Sequence, residues 1–295
     1  MAPRAIEKRS SRTAAYTCVT RAALNREQNP LVHCPDDVSQ VFLPLAARIL
    51  IDVPPLRRLF LRTLAPAGMP EYVLARTRIF DAAFESALNE GWSQIVLLGA
   101  GFDTRTLRFV EHDRRTRVFE LDMPTTQEAK RDLYRRKHVP LPDELIFVPI
   151  DFATQDIGGT LRAAGYRDGE STLFLWEGVT MYLAEAAVLN TLDFVSRSSA
   201  PGSELVFDYV RADVVLGTSK LYGDRRAAKT VADTGEAWTF GLEGGEAETL
   251  LAEHGFETRA HYRAVDLEQL YFTAADGSVL RRVNGTHCIV VAAVC

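Results

Sequence analysis

The chain has 295 residues, enough for one large domain or two small ones, and at 47% hydrophobic and 25% charged it has ordinary globular composition. Thirty-four Lys and Arg against 39 Asp and Glu leave a formal charge of −5, which provides no general attraction to a phosphate backbone or an anionic membrane, so nucleic acid and lipid are not expected partners. Cys18, Cys34, Cys288 and Cys295 form no C-x-x-C pair and no apolar run has signal-peptide or membrane-spanning character, so a cytoplasmic protein without a metal site is expected.

In chain order, residues 1–12 are polar, charged and aperiodic, and are expected to form a disordered tail. Residues 13–26 are rich in helix formers and end at Asn29-Pro30; a second apolar block covers 38–50, and Pro54, Pro55, Pro66 and Pro70 limit the next segment to short helices. Residues 13–70 are therefore read as an N-terminal helical cap with Arg57, Arg58 and Arg62 mostly solvated. The core is expected from 71 to 295. It opens with a helix over 71–90, where Ile79, Phe80, Ala83, Phe84, Ala87 and Leu88 recur at three- and four-residue spacing before Gly91.

The unbroken run Ile95 to Leu98 predicts a strand covered on both faces, and Gly99-Ala100-Gly101 behind it predicts a sharp turn where a ligand approaches the backbone. A short helix over 104–109 leads to a second strand, 117–121, carrying Glu120 at its end and followed by Asp122. Pro124 opens a helix whose Lys130, Arg131, Arg135, Arg136 and Lys137 predict a largely exposed surface. LIFVPI (145–150) runs into Asp151-Phe152, TLFLW (172–176) into Glu177-Gly178, and SELVFDY (203–209) carries Asp208, with a helix over 184–199 between the last two. Residues 211–243, containing Tyr222, Arg225, Arg226, Trp238 and Phe240, interrupt the rhythm and are read as a lid insertion. A helix over 246–254, a strand over 258–262, an irregular segment and a strand over 288–294 complete the chain. Strand–helix alternation of this kind predicts an α/β doubly wound, Rossmann-like sheet with helices on both faces, which binds ligands outside the carboxyl ends of its strands.

The acids at those ends narrow the ligand. LGAGFDT is G-x-G-x-x-T, with Thr104 where a dinucleotide fingerprint has its third glycine, which counts against NAD. Glu120 suits a ribose of either NAD or S-adenosylmethionine (SAM). Asp151 offers an acceptor to an adenine amino group and Phe152 a wall for its ring, while Glu177 suits the cationic amino end of a methionine moiety. The carboxylate of that moiety calls for an arginine, and Arg76 and Arg78 precede the first strand.

ARTRIFDAAF, LGAGFDTR, FELDMP, IDF and WEGVTMYL together resemble the leucine carboxyl methyltransferase-like family of class I SAM-dependent methyltransferases, which includes bacterial polyketide-pathway O-methyltransferases. The resemblance runs from Arg12 to Val210 and weakens beyond. It implies a seven-stranded sheet of order 3-2-1-4-5-7-6 with the last strand antiparallel. It also implies that Arg76, or Arg78 at a different offset, holds the SAM carboxylate, with Gly99 and Gly101 beneath the methionine and Ala100 and Leu121 lining the same site. Glu120 and Asp122 would hold the ribose, Asp151 and Phe152 the adenine and Glu177 the amino group, while Arg21 falls where the family has a basic residue near cofactor and substrate.

Methyl transfer from a sulfonium is a direct displacement that yields S-adenosylhomocysteine and requires alignment more than covalent help. A carboxylate acceptor is ionised at pH 7, whereas a phenol benefits from a base. His33, His112, His138, His254, His261 and His287 all lie outside the five motifs and are read as surface or packing residues, which favours a small-molecule carboxylate. Phenol or alcohol methylation, methylation of a protein C-terminal carboxylate, a non-catalytic SAM-binding protein and an NAD-dependent oxidoreductase are the alternatives. Tyr182 either orients an acceptor oxygen or packs on the sheet, Arg21 either meets ligand or forms a salt bridge, and Trp238 and Phe240 either wall the substrate or anchor the lid. Asp103, Thr104 and Arg105 are expected to cap and tether the glycine turn.

Overall fold

The structure is a computed structural model that describes residues 12–109, 115–152, 154–224 and 238–295. The tail with Arg4, Lys8 and Arg9, and also His112, Arg225 and Arg226, lie outside the described residues. Seven strands, β1 (Gln94–Leu98), β2 (Arg117–Asp122), β3 (Leu145–Pro149), β4 (Thr172–Trp176), β5 (Glu204–Val210), β6 (Phe256–Tyr262) and β7 (His287–Val294), form one sheet of order β3-β2-β1-β4-β5-β7-β6. β1 to β5 are parallel, and β7 runs antiparallel to both β5 and β6. This is the order and the reversal that the family resemblance implies.

β1 and β4 are buried at every position because each face of the sheet is covered. Val96 and Leu98 of β1, Phe174 and Trp176 of β4, and Leu205, Phe207 and Tyr209 of β5 pack on one face with Ile157, Leu161, Val188, Leu192 and Leu251. Those residues come from helices α7 (Ile157–Ala163), α8 (Glu185–Ser198) and, beyond the one-turn α9 (Ala212–Val215), α10 (Glu246–Glu253). Ile95, Leu97, Leu173, Leu175 and Val206 point to the other face, against α4 (Met69–Asn89) and Leu267 of α11 (Ala264–Tyr271).

In front of the sheet lie α1 (Arg12–Asn25), a 3-10 turn (Ser39–Phe42), α2 (Leu45–Asp52), α3 (Pro54–Leu59) and a π-type turn (Phe60–Leu64). Pro44 splits the expected 38–50 block. Cys18, Ala22, Phe42, Leu43, Ile51 and Phe60 gather around Phe102, just past the glycine turn, and Tyr134 of α6 (Pro124–Lys137). The cap is thereby fastened to the rim where β1 and β2 end.

Two helices had no clear signature in the sequence. α7 hides behind its Gly158-Gly159 pair and is started by Asp156, whose side chain accepts the Gly159 amide at 2.7 Å. α11 falls in the segment read as irregular, and among its eight residues only Leu267 is buried. Arg57 also departs from expectation: it is half-buried and pairs with Glu27 at 2.8 Å. None of the described helices is long and apolar enough to cross a membrane.

Candidate functional site

Register sets the site. Leu98 of β1 lies opposite Leu121 of β2, so the glycine turn leaves the sheet beside Asp122. The Ala100 amide donates to the Leu121 carbonyl at 2.8 Å, and the Gly101 amide donates to Asp122 Oδ2 at 2.5 Å. Asp122 Oδ1 accepts the Met123 amide at 2.6 Å. Gly99 and Gly101 hold φ of 73° and 49°, which only glycine adopts freely, and a Cβ on Gly99 would strike Val179. α5 (Arg105–Phe109) follows, with the Arg105 amide donating to Asp103 Oδ1 at 2.7 Å, as the capping reading requires.

On the other side of β1, Trp176 pairs with Phe207, so Glu177 and Asp208 emerge side by side at the ends of β4 and β5. Two arginines gather them. Arg76 of α4 places Nε 3.0 Å from Glu177 Oε1 and Nη1 2.6 Å from Asp208 Oδ2. Arg105 lies 2.8 Å from Glu177 Oε2 and 2.8 Å from Asp81, and also touches Asp103. Arg108 binds Asp81 at 2.7 Å, and Arg21 binds Asp36 at 2.7 Å. Burial alone would raise the Glu177 carboxyl, but Arg105, Arg76 and Arg21 outweigh it and hold the group at about 2. Tyr72 donates to Asp208 Oδ2 at 2.8 Å, and Asp208 Oδ1 accepts the Gly178 amide at 2.5 Å.

At the end of β2, Glu120 is 1% exposed and bound by Lys130 Nζ at 2.7 Å. Lys130, expected on an exposed helix surface, is itself 1% exposed and lies over the Tyr134 ring. Burial raises Glu120 to about 7 despite Lys130, and raises Asp122 to about 6 despite the two amides it accepts.

The remaining expected site residues divide. Asp151 and Phe152 follow β3 at the same edge; the Asp151 carboxylate accepts Thr154 Oγ1 at 3.1 Å, and Phe152 packs on the core. Arg21 takes the salt-bridge reading and donates to the Phe102 carbonyl at 2.7 Å, tying α1 to the glycine turn. Arg78 leaves the site: its guanidinium donates to the carbonyls of Pro30 and His33 at 2.9 and 3.2 Å and lies over Tyr271. Of the two candidate arginines, Arg76 alone joins the acids at the strand ends. Tyr182 and Trp238 pack around Met181, Val210 and Val214, whereas Phe240 is buried in the main core and anchors its segment.

Residues that the sequence reading missed complete the cluster: Asp36, Tyr72, Asp81, Arg105 in its ion-pairing role, Lys130 and His287. His287, set aside as a packing residue, begins β7 with its ring centroid 4.6 Å from that of Tyr72 and 5.3 Å from that of Trp238. Asp81 and Arg105 lie within the quoted motifs but carry no spacing signal of their own. His287 lies more than 100 residues from the last motif.

The arrangement fits SAM on its own evidence. Arg76 Nε and Glu177 Oε2 are buried and in ionic contact but make no aligned hydrogen bond among the described residues, so each has capacity for a polar ligand. Around them four guanidinium groups (Arg21, Arg76, Arg105, Arg108) meet five carboxylates (Asp36, Asp81, Asp103, Glu177, Asp208), an excess of one negative charge. SAM, a zwitterion with a sulfonium, carries one net positive charge.

Comparison with known proteins agrees. The family model of leucine carboxyl methyltransferase matches residues 14–196. YktD of Bacillus subtilis (strain 168) is 31% identical over 68% of this chain and 66% of its own length. A protein of Parafrankia sp. (strain EAN1pec) is 31% identical over 84% of this chain and 77% of its own, and one from Frankia alni is 36% identical over 62% of each. All three are named as inferred S-adenosyl-L-methionine-dependent methyltransferases, and the matched part spans between 62% and 77% of their lengths. A solved DUF574 family protein from Streptomyces avermitilis shares the fold at a TM-score of 0.61 and 12% identity, covering 98% of this chain and 99% of that one. The chain belongs to the leucine carboxyl methyltransferase family of SAM-dependent methyltransferases.

Proposed function

We propose that the protein is a SAM-dependent O-methyltransferase of a small-molecule acceptor. The observation that carries this is the joining of Arg76 to both Glu177 and Asp208 beside the glycine turn, with Arg76 Nε and Glu177 Oε2 still able to take a polar ligand. Arg76 would hold the carboxylate of SAM, Glu177 its amino group, Gly99 to Gly101 its methionine stem, Glu120 and Asp122 its ribose, and Asp151 with Phe152 its adenine. When bound, SAM supplies a methyl group on a sulfonium, open to displacement by an oxygen nucleophile.

The work of the chain is alignment and exclusion of water. Arg105 and Arg76 keep Glu177 ionised, so it presents a full negative charge to an ammonium across the physiological range. The cap, fastened through Arg21 to Phe102, stands over the same rim. Tyr182 is placed among the apolar residues beside Val210 and would orient the acceptor.

The ionisation argument from the sequence favours a carboxylate acceptor, which needs no base. Hydroxyl methylation is the second reading, and a specific observation favours it: His287 lies on Tyr72, next to the ion cluster. The test is incubation of the full chain with methyl-labelled SAM and a bacterial extract, separated by size. Label in the small-molecule fraction is expected. Label confined to protein would replace the small molecule with a protein terminus as acceptor, and binding of SAM with no transfer would make the chain a cofactor-binding protein.

A further inference from the structure

The neighbourhood of His287 contains a hydrogen-bond chain that settles the state of its ring. Asn284 Nδ2 donates to the Ala67 carbonyl at 2.9 Å, which fixes the orientation of that amide and leaves Oδ1 as an acceptor. Thr286 Oγ1 lies 2.5 Å from Asn284 Oδ1, so the Thr286 hydroxyl proton is committed to Asn284. Thr286 Oγ1 also lies 2.6 Å from His287 Nδ1. With its own proton in use, Oγ1 can only accept there, and Nδ1 must carry hydrogen. The second ring nitrogen, Nε2, then bears a lone pair, and it has no hydrogen-bond partner among the described residues. Burial pushes the His287 pKa down to about 4, with Arg76 acting in the same sense and Asp208 against them, so the ring is neutral at physiological pH.

The ring is flanked on two sides. It overlies Tyr72, whose hydroxyl is committed to Asp208, at an interplanar angle of 31°, and it meets Trp238 edge-on at 86°. Trp238 Nε1 is itself a buried donor with no partner among the described residues. A buried donor that no described residue satisfies is costly unless a ligand accepts from it, and the imidazole lone pair on the adjoining ring can serve the same ligand. A carboxylate, which only accepts, matches the indole and opposes the imidazole lone pair. A hydroxyl both donates and accepts, and matches both.

We propose that His287 Nε2 is the base of the acceptor subsite, taking the proton of a phenolic or enolic hydroxyl whose oxygen accepts from Trp238 Nε1. This rests on the methyltransferase reading above and names its acceptor class. In the transfer the hydroxyl oxygen forms a bond to the methyl carbon, the carbon–sulfur bond breaks with its electron pair staying on sulfur, and the O–H proton passes to Nε2. The products are a methyl ether, neutral S-adenosylhomocysteine and an imidazolium, which returns its proton to solvent. As the new bond forms, the O–H becomes far more acidic than a free phenol, so a weak base within reach suffices, and a low affinity for protons keeps that base available.

The test uses the full chain, methyl-labelled SAM and the small-molecule fraction of a bacterial extract, with 2-naphthol and 2-naphthoate as a matched hydroxyl and carboxylate pair. Products are treated with mild base, which cleaves esters and spares ethers. Base-stable label is expected from the wild type. His287→Ala should lower its formation by about 100-fold or more, the usual contribution of a general base, with SAM affinity unchanged by calorimetry. Added imidazole should restore part of the His287→Ala rate, which loss of packing alone would not permit. Trp238→Phe, keeping the ring and losing the N–H, should raise KM severalfold with a smaller effect on kcat. The absence of base-stable labelled product, whether esters form or nothing does, overturns the inference, as does a His287→Ala rate equal to wild type. Label found only in esters would leave the methyltransferase reading standing. Failure of the wild type to bind SAM would remove that reading itself.

Discussion

Arg76 is the residue on which the cofactor assignment turns. Its planar fork reaches Glu177 through one edge and Asp208 through another, a geometry that a lysine ammonium does not reproduce. Arg76→Lys is therefore expected to weaken SAM binding about 10- to 100-fold, the worth of one or two charge-assisted hydrogen bonds, as read by calorimetry. Arg78→Ala should leave that affinity within about twofold, because Arg78 spends its donors on carbonyls of the cap. The residues alone named both arginines, and only the family resemblance put Arg76 first. Two positions on a helix lie about 200° apart, so one of them had to face away, but which one depends on the docking of α4. The state of His287 was less legible still, since it depends on Asn284 and Ala67, the latter contributed by a loop more than 200 residues earlier.

At the scale of elements, α6 shows what a hydrophobicity pattern misses. Its buried residues, Thr126, Gln127, Lys130 and Tyr134, keep helical spacing, but most are polar, so the sequence predicts an exposed helix. The stripe is buried because β2 presents polar partners to it: the Glu120 carbonyl accepts Gln127 at 2.8 Å, and the Glu120 carboxylate accepts Lys130. This pairing has a pH signature. Burial raises Glu120 to about 7, above its value of 4.5 in an open chain, so its contribution to stability is whole below about pH 4.5 and is lost as pH rises through 7. Glu120→Gln removes that titration. Its melting temperature should rise relative to wild type as pH goes from about 4.5 to about 7, followed by thermal denaturation in steps of one pH unit. Parallel curves for the two proteins would contradict the burial of Glu120. β1 to β5, by contrast, were legible nearly to the residue, because short apolar runs closed by an acid or by the glycine turn leave little ambiguity of period or boundary.

For the molecule as a whole, the parallel sheet brings residues scattered from Arg21 to Asp208 to one rim, and the motifs marked only part of that set, the glycine turn and the acids at the ends of β2, β3 and β4. The antiparallel return of β7 was implied only by resemblance to the family. Its consequence, bringing His287 against Tyr72, could not be read from residues 211–295, where that resemblance fades. With SAM bound to the folded chain at this rim, as proposed, saturation at about 100 times Kd should stabilise the protein by about 2.7 kcal/mol and raise its melting temperature by several degrees. The most direct test of the central claim is calorimetric titration of the full chain with SAM, S-adenosylhomocysteine and NADH, repeated on Glu177→Gln. One site for SAM and for S-adenosylhomocysteine, no binding of NADH, and at least a tenfold loss of SAM affinity in Glu177→Gln are the predicted results; binding of NADH without SAM, or SAM affinity indifferent to Glu177, would contradict the account.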